Sequence, residues 1–209
     1  IQFATLGLAG SPEAGASIEW KTLPALPDDH GFAGPYAGVV GDTLMVAGGA
    51  NFPAAPPWEN GKKVWHDRVF LFSSDTETWQ VSETRLPQAL AYGVSVSLPQ
   101  RGTVALLGGS NQNNEPTTSA LEARWEGGKL MFSQLPPLPI PLAESSGVAL
   151  GNAIYLFSGR SHEGTAKLAF RLVLDAAEPK WETLPWPEGA RGRMHSVAGV
   201  RDGKIYLIA

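Results

Sequence analysis

A strand-turn-strand unit recurs four times along this chain, and that recurrence limits the folds open to it more than any other feature. The copies read YAGVVGDTLMVAGG (36–49), YGVSVSLPQRGTVALLGG (92–109), SSGVALGNAIYLFSG (145–159) and HSVAGVRDGKIYLIA (195–209). They are spaced about fifty to sixty residues apart. Each of the first three closes on a small pair: Gly48-Gly49, Gly108-Gly109 and Ser158-Gly159. A unit that repeats at this period cannot bury its apolar face alone. It must stack on its neighbours to do so.

A period near fifty with paired glycines is the signature of kelch blades, so the expected fold is all-β, a kelch-type β-propeller. Within the first unit, Tyr36 to Val40 reads as the innermost strand, Gly41-Asp42 as a tight turn and Thr43 to Ala47 as the second strand. Val69 to Phe72 then reads as the third strand, and Trp79-Gln80-Val81 as the start of the outer one. Trp181 repeats that outer position, which makes Trp79 and Trp181 packing residues between blades. Blades are expected from about residues 33, 89, 142 and 192, giving about three and a half blades in a propeller spanning 18–209.

The stretch 18–27 resembles the outer strand around Trp181 and has no blade before it. It is expected to complete the last blade, as orphan strands do in closed rings. Residues 1–17 form a separate N-terminal segment, a possible leader remnant. On this reading the C-terminal blades are missing, and a complete six-bladed ring needs roughly 100 more residues.

Composition narrows the function classes. Of 209 residues, 24 are Gly and 17 are Pro, which suits short strands and turns. The formal net charge is −4 and there is no basic run, which argues against nucleic acid as a partner. No stretch is long and apolar enough to span a bilayer as a helix. There is no cysteine, so thiolate metal sites and disulfides are excluded. The copper-radical oxidases, also built on kelch blades, need a cysteine cross-linked to tyrosine and are excluded with them.

The segments GGANFPAAPPWENGKKVWHDRVFLF (48–72) and AYGVSVSLPQRGTVALLGGSNQ (91–112) are more specific than a generic blade. They resemble the cyclically permuted mutarotase family of kelch-repeat proteins, the family of the N-acetylneuraminate epimerases. The blade order looks rotated relative to the enterobacterial form, which a ring permits. The resemblance implies a six-bladed, bacterial-type periplasmic or secreted protein that interconverts the anomers of sialic acid or a related sugar. It implies a small-molecule sugar as partner, and neither a metal nor an organic cofactor. Oligomeric state is left open. The alternative is a non-catalytic kelch propeller that binds a glycan or a protein.

Opening a hemiketal ring requires one group to take a proton and another to donate one. A sugar acid also favours a cation that holds its carboxylate. The loop 50–66 offers Asn51, Glu59, Asn60, Lys62, Lys63 and His66, stiffened by Pro53, Pro56 and Pro57, with Trp58 and Trp65 as apolar walls. Of these, Asn51, Glu59, Lys62 and His66 are candidate sugar-binding residues, set against a lid whose charges face water. The second and third loops add Asn111 and Arg160, and Tyr92 opens the second inner strand. Arg193 matches an arginine of the resembled family, and His195 is the candidate proton carrier within this chain.

Two departures from the family pattern stand out. The catalytic Glu/Arg pair that the resemblance implies maps beyond Ala209. Relatives carry arginine just before the AYG segment, where this chain has Leu90, which weakens the case for an anionic sugar.

Overall fold

A computed structural model describes residues 2–6 and 18–208. Three four-stranded antiparallel sheets follow one another along the chain. The first blade runs from its inner to its outer edge through Tyr36–Val40, Thr43–Ala47, Val69–Ser73 and Thr78–Val81. The second runs through Val94–Leu98, Thr103–Leu107, Ala120–Glu126 and Lys129–Gln134. The third runs through Ser146–Leu150, Ala153–Phe157, Ala169–Val173 and Trp181–Leu184. A fourth hairpin pairs Val197–Arg201 with Lys204–Ile208. In the first blade the strand boundaries match the sequence expectation to within about a residue, because short turns fix the register locally, whereas the second inner strand begins at Val94 and leaves Tyr92, at φ 61°, just before it.

Ile18–Thr22 does form a strand, but it pairs antiparallel with Gln2–Leu6 and so has a partner within the chain. The rest of the expected leader segment, residue 1 and residues 7–17, lies outside the described residues. Downstream of that strand, Pro24 takes a position repeated later in the chain. Its carbonyl accepts a hydrogen bond from Trp79 Nε1 at 2.9 Å, just as Pro136 accepts one from Trp181 Nε1 at 2.8 Å. Both indoles also lie against a phenylalanine of the third strand, Phe72 and Phe170. Each tryptophan thus fixes the linker from the preceding outer strand with its N–H while packing its ring.

The core lies between blades. Tyr36, Met45, Val69, Leu90, Val104, Leu106 and Leu130 pack together at the first junction. Val96, Leu107, Leu142, Ile154, Leu156 and Leu172 pack at the second. A second strand has a neighbouring blade on each face, so Thr103–Leu107 is buried at every position and its sequence is a continuous apolar run rather than an alternating one. Burying each such side chain stabilises the fold by about 1.5–3 kcal/mol.

The paired small residues make the joints. Gly49 N–H donates to the carbonyl of Leu90, Gly109 to that of Leu142, and Gly159 to that of Arg193, each at 2.8 Å. In every case the acceptor lies just before the next inner strand. Gly108 shows why a side chain is barred here. Its φ is +65°, and a Cβ there would sit 2.3 Å from the Leu142 carbonyl oxygen. In the third blade Ser158 adopts the left-handed conformation instead, at φ 51°.

Candidate functional site

The joints carry the next blade's entry residue to one rim of the stack. Gly34, Tyr92, Glu144 and His195 occupy the same position in successive blades, and all four have φ between 55° and 61°. They are linked through the backbone. Tyr92 N–H donates to Gly34 O at 2.7 Å, Glu144 N–H to Tyr92 O at 2.7 Å, and His195 N–H to Glu144 O at 3.1 Å. A left-handed conformation costs a residue with a Cβ about 1–2 kcal/mol. Finding it at three consecutive non-glycine positions means the joints hold these side chains in place.

The residue after each small pair lies beside this column. Ala50, Ser110 and Arg160 bridge Ala33, Ala91 and Ala143, respectively. Arg160 therefore stands next to Glu144. Its Nε donates to Glu144 Oε1 at 3.1 Å, and its other nitrogens reach Asn114 O and Oδ1, both at 3.2 Å. His195 Nε2 lies 3.6 Å from Glu144 Oε2. The Glu144 side chain is only 15% exposed, whereas that of His195 is 67% exposed. The rim thus presents a carboxylate braced by a guanidinium, with an imidazole beside it.

A cavity of about 430 Å³ adjoins the column at Tyr92, which lines it, whereas Glu144 and His195 do not. Ala33, Ala50, Phe52, Ala54, Pro56 and Pro57 give it apolar walls, and Lys63 and Tyr92 converge on it. Lys63 Nζ donates to Tyr92 Oη at 2.5 Å and lies 4.4 Å from the centre of the Tyr92 ring. Gly34 makes room for that ring, since a Cβ at this position would fall 2.5 Å from Tyr92 Cδ1.

The residues expected from sequence separate into three groups. Tyr92, Arg160 and His195 stand on the rim as described. Asn51 lines the cavity, but its amide is engaged inward: Nδ2 donates to Gly31 O at 2.9 Å and Oδ1 lies 2.8 Å from His66 Nε2. That geometry places the imidazole proton of His66 on Nε2. Burial, with the nearby Arg68 charge, lowers the His66 pKa and keeps the ring neutral. Asn51 and His66 are therefore a bracing pair beneath the loop.

Glu59 and Lys62 are exposed and line no part of the cavity. Asn111 closes its own turn, with Oδ1 accepting from the N–H groups of Asn113 and Glu115. The Arg193 side chain is exposed, and this residue acts through its backbone, which accepts from Gly159 and donates to Ser158 Oγ at 2.6 Å. Trp58 is 81% exposed and forms no wall.

Glu144 and Lys63 are brought to the rim and the cavity by the fold, and single-residue reading did not select them. Glu144 is detectable once Tyr92 and His195 are aligned as one column. Lys62 and Lys63 are adjacent loop residues just before the short strand Val64–Trp65, and only Lys63 lines the cavity. Among the described residues, no three His, Asp or Glu side chains converge as metal ligands.

A family model described as N-acetylneuraminate epimerase matches residues 11–132. The chain belongs to the N-acetylneuraminate epimerase family. The matched region holds the first blade, nearly all of the second, the cavity, Lys63 and Tyr92. The N-acetylneuraminate epimerase of Yersinia pestis (strain Pestoides F) is 34% identical over 131 residues, covering 56% of this chain and 32% of that protein. The N-acetylneuraminate epimerase of Brucella suis (strain ATCC 23445 / NCTC 10510) is 33% identical over 126 residues, covering 53% and 31%, respectively. The chain thus matches about a third of the length of these curated relatives. The solved structure of YjhT superposes with a TM-score of 0.76 at 17% identity, covering 93% of this chain and 63% of that one. That likeness shows the fold, a β-propeller.

Against this family background the surroundings of Leu90 are informative. Its side chain is 1% exposed and packs in the junction core, while its carbonyl serves the joint to Gly49. Position 90 is a packing position in this propeller.

Proposed function

We propose that the protein is a carbohydrate mutarotase that interconverts the anomers of N-acetylneuraminate or a related sugar. The observation that carries this reading is the alignment of Tyr92, Glu144 and His195 on one rim, beside a cavity with apolar walls, in a chain of this family. In the reaction a base takes the proton of the anomeric hydroxyl as the bond from the anomeric carbon to the ring oxygen breaks. The ring oxygen gains a proton, the carbonyl turns, and the steps reverse on the opposite face. Glu144, paired with Arg160, suits the base, and His195 beside it suits the donor.

Anomer exchange in the full-length protein tests this. Acceleration that is lost in Glu144→Gln supports the assignment. Undiminished exchange in that variant removes Glu144 from the chemistry.

A further inference from the structure

We propose that Lys63 is the anion anchor of the cavity, its ammonium and the Tyr92 hydroxyl together holding the carboxylate of a sugar acid. The proposal rests on the mutarotase reading and adds to it a residue that sets substrate class.

Lys63 is a half-buried cation on a wall made mostly of alanine, proline and phenylalanine side chains. Among the described residues it forms no ion pair, whereas Asp28, Glu122 and Glu144 each hold an arginine. Its immediate surroundings are aromatic, with the Tyr92 ring at 4.4 Å and the Trp65 ring at 5.2 Å. Two aromatic faces attract a cation but give it no hydrogen-bond acceptor in the plane of a carboxylate. An ammonium has three donors, and one is spent on Tyr92 Oη.

Because Tyr92 Oη accepts from Lys63, its own proton remains to be donated. Two donors therefore converge at one end of an apolar cavity, an arrangement that suits a carboxylate with one oxygen for each. Two other polar side chains line the cavity: the Asn51 amide is already bonded to Gly31 and His66, and His30 is exposed. The loop holding Lys63 is itself fixed: Val64–Trp65 pairs with Ala50–Asn51, and Trp65 Nε1 donates to Ser110 Oγ of the next blade at 3.2 Å.

The test is a binding titration on the full-length protein with N-acetylneuraminate and with its carboxylate methyl ester. Lys63→Met keeps the aliphatic stem over the rings and removes the charge, and Lys63→Arg keeps the charge. The expected result is that Lys63→Met weakens binding of the acid by about tenfold or more and binding of the ester by about twofold or less, with Lys63→Arg near wild type. Equal weakening of acid and ester overturns the anchor in favour of a packing role, and so does no weakening of either. If the wild-type protein binds neither compound, the mutarotase reading falls and the anchor falls with it.

Discussion

Replacing Gly108 with alanine tests whether the small pairs are joints between blades or merely turns. Two penalties are expected. The left-handed backbone, at φ +65°, costs alanine about 1–2 kcal/mol. The new Cβ also meets the Leu142 carbonyl oxygen at 2.3 Å, and that oxygen is the acceptor for Gly109 N–H. Relieving the clash lengthens a buried hydrogen bond, which adds about 1–3 kcal/mol. Gly102 is the control. Its φ is +62°, but nothing lies within 4 Å of the place a Cβ would take, so Gly102→Ala carries the backbone cost alone. Urea unfolding of the full-length variants is expected to show Gly108→Ala less stable than Gly102→Ala by about 1–3 kcal/mol. Equal losses would refute the claim that close approach between blades, rather than backbone conformation, requires glycine at this place.

Further outcomes follow from individual contacts. Tyr36 is fully buried and its hydroxyl donates to Gly108 O at 2.6 Å. Tyr36→Phe is expected to lower stability by about 1–2 kcal/mol in the same unfolding assay. For Asp28, burial raises the pKa, but hydrogen bonds from His30 N–H, Arg68 and Gly31 N–H outweigh it and hold the carboxyl below 3.8. A depressed folded-state pKa gives stability that is present above 3.8 and lost as pH falls through the folded-state value. The stability gap between wild type and Asp28→Asn, about 1–3 kcal/mol at neutral pH, should therefore shrink on acidification, and a gap independent of pH would contradict this. Glu144→Gln is expected to slow anomer exchange by about a hundredfold. Its melting midpoint, measured alongside, separates that effect from unfolding.

Much of the architecture was legible because it is written in local chemistry. Gly41-Asp42 and the paired glycines set turns whose register a strand pair cannot slip without exposing its apolar face. The repeat spacing then identifies the stack. The site was harder to read, because its residues are selected by contacts between blades. Nothing in the loop sequence distinguishes Lys63, which faces the cavity, from Lys62, which faces water. Asn51 and His66 have the residue types of ligands, yet they satisfy each other beneath the loop. Glu144 sits in an unremarkable segment, and only its partners, Arg160 on the same blade and His195 on the next, give it a role. Leu90 reads as a lost charge in sequence and as a core residue in the fold.

Anomer exchange followed by proton NMR on the full-length protein tests the central claim most directly, with pure anomers of N-acetylneuraminate as substrates and glucose and galactose as neutral controls. The account predicts exchange of N-acetylneuraminate well above the spontaneous rate and none above it for the neutral sugars. No acceleration for any sugar, from a folded protein, would contradict it and leave the propeller as a binding module.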